Sequence, residues 1–380
     1  MRFLHTADWH LGRILHGVHL TEDQAHLLDQ MVELARETRV EAVVIAGDVY
    51  DRAVPPPDAV ALLGDTLARL VREVGVRVLM VAGNHDSPER LAFCSSLLER
   101  EGLVIAGPVA ASPLHVGLED DHGPVSFRLL PYAEPAWVRQ ALADDDIRSH
   151  QQAMRRLTDQ VRAETGGRER VVVVSHAFVS GGAESESERP LSVGGASQVE
   201  PGSFDGFHFV ALGHLHRPQR VGSERLSYSG SLMKMSFAEA QHSKSVSLIE
   251  LGGDGSVSVE RVELGPRRDL RVLEGTLEEL LASAEDDRDP DDYVMADLTD
   301  HGVVRDPMGR LRSFYPNILH VARPGLVEGG SGARADHRKV TTRELFAEFI
   351  RARLDRDLTD EESAAFAEVV DDLGARERAG

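Results

Sequence analysis

Five apolar runs in this 380-residue chain each end in a cluster of potential metal ligands, and that repetition constrains fold and chemistry together. The clusters read Asp8-Trp9-His10, Gly47-Asp48, Gly83-Asn84-His85-Asp86, Ser175-His176 and Gly213-His214-Leu215-His216. A lone histidine is more often a packed or solvated residue than a ligand. The competing reading, that these side chains only bond their own loops, must account for the same coincidence five times. Carboxylate, amide and imidazole without thiolate suit hard or borderline divalent ions such as Mn²⁺ or Fe²⁺. A structural zinc site takes about four ligands, usually with cysteine among them. With at least seven donors on offer, two metal ions are expected.

The runs themselves predict the fold. Residues 2–5, 42–46, 76–82, 170–174 and 207–212 are short, rich in Val, Ile, Leu or Phe, and stop at turn or ligand residues. Between them, residues 21–39, 59–73, 91–101 and 147–164 carry apolar side chains at helical spacing. Alternation of this kind predicts an α/β layer structure with buried strands, in which ligands collect at the carboxyl ends of the strands. Asp8 and His10, two apart, are expected on one side of an extended segment, as are His214 and His216. Beyond Gly213 the runs at 226–228, 245–251 and 256–264 predict an antiparallel meander, with Gly252-Gly253-Asp254-Gly255 as its last turn.

Four segments are expected: 1–265, 266–324, 325–340 and 341–374. The second begins at Pro266-Arg267-Arg268 and reads as a small α+β unit, with strands at 270–273 and 293–298 around a helix at 277–284. The third, rich in Gly, Ser and charge, reads as a linker. The fourth holds two capping boxes, Thr341-x-x-Glu344 and Thr359-x-x-Glu362. The first opens the stripe Leu345, Phe346, Phe349, Ile350, Leu354, and the second opens Phe366, Val369, Val370, Leu373. Such a pair either folds back on its own core or docks on another chain, since it is too small to bury its apolar faces alone.

Composition narrows the setting. The single cysteine, Cys94, excludes an internal disulfide framework and is expected to be a packed helix residue. No window is apolar enough for a membrane span and the chain starts directly in Arg2-Phe3-Leu4, which predicts a cytoplasmic protein. The formal charge of −21 argues against the chain as the sole grip on nucleic acid, since backbone binding needs Lys and Arg. Much of that acidity is local, in the run 285–292 and the C-terminal third, and bound cations supply positive charge where the clusters meet.

In order and spacing the clusters resemble those of the calcineurin-like metallophosphoesterases, over about residues 1–250. The resemblance implies a two-sheet α/β sandwich flanked by helices, with two metals bridged by Asp48. Asp8, His10 and His216 would complete one metal's shell, and Asn84, His176 and His214 the other's. His85 would be the catalytic histidine and Asp51 the aspartate that orients it; Arg52 would contact phosphate or stay solvated. The chemistry agrees, because a carboxylate has two oxygens for a bridge and the neutral Asn84 amide adds no charge beside an anionic substrate. His85, next to Asn84, diverges from it and is free to act as a proton donor.

A narrower likeness is to the bacterial SbcD-type subunits, carried by Thr6-Ala7-Asp8-Trp9-His10-Leu11-Gly12, Asp48-Val49-Tyr50-Asp51, Glu188-Arg189-Pro190-Leu191-Ser192-Val193-Gly194-Gly195, Tyr228-Ser229-Gly230-Ser231 and Ser236-Phe237. It implies a manganese nuclease in DNA repair and recombination, working on duplex ends in the 3′ to 5′ sense and on single strands and hairpins. Residues 266–324 would cap the site and the terminal helices would dock an SbcC-type ATPase, in a two-plus-two assembly built on a homodimer. A phosphomonoesterase or cyclic-nucleotide phosphodiesterase on the same core would need neither appendage. A non-catalytic scaffold would be expected to have lost ligands, and all seven positions are filled.

Overall fold

A computed structural model describes residues 1–165, 169–188, 197–302 and 304–323, with scattered positions from 346 to 366. The expected linker 325–340, the first expected capping box and most of the expected C-terminal apolar stripes lie outside the described residues, as does Arg189 to Gly195. By contact density the chain divides into one unit of Met1–Leu298 with Val304–Ala322 and another of Thr299–Val303 with Arg323–Gly380.

The first unit is built on two six-stranded sheets. In one, β1 (Arg2–Thr6), β4 (Ala42–Ala46), β5 (Arg77–Val81) and β6 (Leu103–Ala106) run parallel. The hairpin of β13 (Ser245–Leu251) and β14 (Val257–Glu263) adds antiparallel beside β1. In the other, β8 (Gly123–Leu130), β9 (Arg170–His176), β10 (Phe209–Gly213) and β12 (Ser223–Tyr228) are parallel. Antiparallel edges close it: β7 (Leu114–Asp120) and β11 (Gln219–Val221). The expected single meander is therefore corrected. Residues 226–228 belong to one sheet and the 245–263 hairpin to the other, because each run pairs with the free edge nearest to it.

Strand periodicity sorts the core into layers. Along β4, Ala42, Val44 and Ala46 face the opposing sheet while Val43 and Ile45 face helices; Val172 and Val174 of β9 and Phe209 and Ala211 of β10 meet them from the other side. Two helices cover the first sheet's outer face, α1 (Thr21–Thr38) and α2 (Pro57–Ala68). Burial of Leu27, Leu28, Met31, Val32 and Ala35 gives α1 its apolar stripe. The second sheet is covered by α5 (Pro135–Leu142) and α6 (His150–Thr165). The helix expected over 91–101 is interrupted. Short α3 (Pro88–Leu91) and α4 (Ser95–Leu98) are separated by Cys94 in the left-handed conformation at φ 60°. Cys94 is exposed rather than packed, with Phe93 and Leu97 also in solvent.

Residues 270–322 form a smaller sheet of three parallel strands, β15 (Leu270–Gly275), β16 (Tyr293–Leu298) and β17 (Ile318–Ala322). The connections are α7 (Leu277–Ala284), with a Thr276/Glu279 capping box, and α8 (Pro307–Arg312). This sheet has its own core, yet Tyr293 donates to the buried Asp23 of α1 at 2.8 Å and Lys234 pairs with Asp269. A two-residue pair, β2 (Ile14–Leu15) and β3 (Val18–His19), makes a small hairpin after the first ligand loop. In the second unit the Phe346 and Phe366 rings stack at 4.0 Å, and Thr359 and Glu362 make the expected capping box.

The inter-sheet layer predicts a specific loss. Phe209 is fully buried and packs edge-on against Phe3 at 6.0 Å. Phe209→Ala is expected to cost about 3–5 kcal/mol in urea unfolding; a loss under about 1 kcal/mol would contradict the layer assignment.

Candidate metal centre

All five clusters sit at or just beyond the carboxyl ends of parallel strands β1, β4, β5, β9 and β10, so they gather at one end of the sandwich. The first two loops are zipped together by main chain, with Asp8 N donating to Gly47 O and His10 N to Asp48 O, both at 3.0 Å. The extended segments expected for Asp8 with His10 and for His214 with His216 are not what the structure shows, although His176 does end a strand. Asp8 (φ 53°), His10 (φ 46°) and Asp48 (φ 49°) are left-handed, and His214 is at φ 111°. Asp and His tolerate that region better than most residues. Close approach of the loops explains two glycines: a Cβ on Gly83 would lie 2.1 Å from Asp48 Oδ1, and one on Gly213 2.0 Å from Ala46 O.

The structure brings the seven ligand candidates together as two adjoining groups. Asp8, His10 and His216 form one, with their donor atoms within 4.8 Å of one another; Asp48, His176 and His214 form the other on the same measure. Asn84 joins the second group, its Oδ1 lying 2.9 Å from His176 Nε2 and 3.0 Å from His214 Nδ1. Asp48 lies between the groups. One oxygen accepts from His85 N at 2.8 Å, and the other is 3.5 Å from His176 Nε2 and 3.8 Å from His10 Nε2. His214 and His216, two apart in sequence, therefore go to different groups.

Electrostatics favours cations here. Burial pushes the His10, His176, His214 and His216 imidazoles below their ordinary range, His214 to about 3, so each presents a lone pair. Burial would raise Asp48, but the facing His176, His85 and His10 and the His85 N–H outweigh it and hold the carboxylate ionised. Asp8 is pushed upward by burial and then by the Asp48 charge. Two buried carboxylates amid neutral donors, with His10 Nε2 and His216 Nε2 only 3.1 Å apart and His10 Nδ1 left without a hydrogen bond, fit two divalent ions.

Three further candidates sit beside the groups. His85 Nε2 is 3.9 Å from Asp48 Oδ2, and its Nδ1–H donates to the main-chain carbonyl of Asp51 at 2.8 Å. Asp51, expected to orient His85, meets it through its main-chain carbonyl and not through its carboxylate. The Asp51 carboxylate instead accepts from Arg13 at 3.0 Å and lies 3.8 Å from His10 Nδ1. Arg52 is exposed.

Sequence reading missed a buried network behind His216. Glu239, fully buried, accepts from His216 Nδ1 at 3.2 Å, and Lys244 pairs with it at 2.5 Å. Ser187 Oγ lies 2.8 Å from the same imidazole nitrogen and donates to Glu239. Proton donation from Nδ1 leaves Nε2 free for a metal. In the sequence Asp86 stands out only as part of a cluster. It accepts from Gly83 N, Tyr50 N and Val49 N at 2.8, 2.9 and 3.2 Å, locking the second and third loops together. Glu239→Ala is expected to weaken divalent metal binding by about 10–100-fold, with Glu239→Gln recovering part of it. Unchanged affinity in a calorimetric titration of the alanine variant would remove Glu239 from this role.

Comparison with known proteins gives two family matches. The calcineurin-like phosphoesterase family matches residues 1–218, and the type 5 capsule protein repressor C-terminal domain, SbcD_C, matches residues 266–353. Among solved structures, a dimetal phosphatase from Danio rerio is 16% identical with a TM-score of 0.42, covering 69% of this chain and 96% of its own. TT1561 of Thermus thermophilus is 14% identical with a TM-score of 0.39, covering 68% of this chain and 98% of its own. The assignment rests on the family matches, the first of which spans more than half of the chain. By these matches the chain belongs to the calcineurin-like phosphoesterase family, as an SbcD-type member with metal-dependent phosphoesterase chemistry.

Proposed function

We propose that this chain hydrolyses DNA phosphodiester bonds, with Mn²⁺ as its metal, as the nuclease subunit of a cytoplasmic assembly driven by an SbcC-type ATPase in DNA repair and recombination. The observation that carries the reading is the presence on one chain of two ligand groups around a single buried carboxylate and of an SbcD-type C-terminal domain. Bound divalent cations would make water nucleophilic at neutral pH and offset charge gathering on the phosphate oxygens. Asp8, His10 and His216 would hold one ion, Asn84, His176 and His214 the other, and Asp48 both. His85, its Nδ1–H fixed by the Asp51 carbonyl, would as imidazolium deliver a proton from Nε2 to the leaving oxygen. Degradation of duplex ends in the 3′ to 5′ sense and cutting of single strands and hairpins complete the proposal, with residues 266–324 as the cap.

Two surfaces support partners. Phe93 and Leu97 are 76% and 69% exposed, and Val54 and Val60 are also in solvent around α2, α3 and α4. Side chains of that size left in water fit the homodimer of a two-plus-two assembly. The stacked Phe346 and Phe366 support a helical pair that docks the ATPase. Among the described residues no helix is long and apolar enough to cross a membrane.

Asp48→Ala or His176→Ala is expected to abolish manganese-dependent cleavage of a blunt duplex and to lower bound metal. His85→Ala should keep its metal and lose about 10²–10⁴ in rate. Metal loss in step with activity in the His85 variant would overturn the proton-donor role. Removing residues from 340 onward should leave metal-dependent cleavage of single-stranded DNA but end ATP-stimulated duplex degradation and co-purification with the ATPase. Retained co-purification would overturn the docking role.

A further inference from the structure

On one flank of the sandwich the outermost strands of the two sheets, β11 and β14, carry Arg220 and Arg261. A groove of about 310 Å³ opens there, lined by Arg217, His242, Ser243 and Arg261 with one carboxylate, Glu263. In a chain of formal charge −21 this is a local reversal of sign. Among the described residues neither the Arg217 nor the Arg261 guanidinium meets a carboxylate; Arg220 is paired, with Glu224. Arg217 and Arg261 line the same groove, and burial, then the charges of Arg220 and Arg217, push Arg261 below its ordinary range. His242 Nδ1 is buried without a hydrogen-bond partner.

The groove is tied to the metal centre. Arg217 directly follows His216, and Lys244, between groove residues Ser243 and Ser245, donates to the His216 carbonyl at 2.7 Å. Edge strands often carry charge simply to block pairing with another chain. That purpose accounts for Arg220 and Arg261, but not for Arg217 and His242, which reach the same groove from loops.

We propose that this groove binds the phosphodiester backbone of the DNA strand as it runs to or from the metal centre, an inference that rests on the nuclease reading. Guanidinium groups match phosphate oxygens in pairs, and each contact releases counterions. An anion in the groove would give Arg217 and Arg261 the partner that no carboxylate among the described residues provides.

The test is the salt dependence of binding of a fluorescent single strand of about 20 nucleotides to the full chain. R217A/R261A should bind at least tenfold more weakly at low salt. Its slope of log affinity against log salt should be shallower by about 1.4, at roughly 0.7 per contact. R217K/R261K should recover most of the affinity, and R72A/R77A, which removes two exposed arginines elsewhere, should match wild type. Melting temperature and bound metal are measured on each variant to exclude misfolding. Wild-type affinity and slope in R217A/R261A, while the wild-type protein still cuts DNA, would overturn the groove and leave the nuclease reading intact. An equal fall in R72A/R77A would reduce the effect to net charge and likewise overturn it. A wild-type protein that neither binds nor cuts DNA would overturn both.

Discussion

The carboxylate of Asp48 is buried with one oxygen fixed by a backbone N–H and the other facing His176 and His10, and the surrounding loops are arranged about it. Burying a charge is costly unless it is paired and hydrogen-bonded. Neutral imidazoles only partly satisfy that need, and Asp8 adds a second buried carboxylate within the same set of loops. Divalent cations answer the imbalance, and the same charge makes the site useful for phosphate chemistry.

That geometry depends on backbone placed under strain and on small residues that permit it. Left-handed Asp8, His10 and Asp48 are costly conformations, of order 1–3 kcal/mol each. They are held by the ladder from the first loop to the second, by Asp86 across to the third, and by an inter-sheet layer from Phe3 to Phe209 that fixes where the strands end. Behind His216, the Glu239–Lys244 pair is buried and nearly balanced in charge, so it can orient an imidazole without drawing in a competing cation.

Much of the site is legible in the sequence because a strand's end is marked by where its apolar run stops, and parallel topology brings those ends together. That logic marks the clusters that hold Asp8, Asp48, Asn84, His176 and His214, while the choice of ligands within each cluster comes from the family resemblance. Its failures are equally physical. Glu239 lies 23 residues from His216 and belongs to no local period, so only the fold joins them. The apolar spacing of Leu91, Phe93, Leu97 and Leu98 imitates a continuous helix, yet the chain turns at Cys94 and leaves Phe93 and Leu97 in solvent. The 226–228 and 245–263 runs read as strands and form strands, but strand propensity does not say which sheet edge is free.

On the proposed reading, this acidic chain guides a strand locally through a cationic groove linked to the His216 loop, while a partner supplies most of the grip. Everything in that picture requires the two ligand groups to hold separate ions. Equilibrium dialysis of the full chain against Mn²⁺, with metal counted by elemental mass spectrometry, measures this directly. The account predicts two ions per chain at saturation; one ion or none would contradict it.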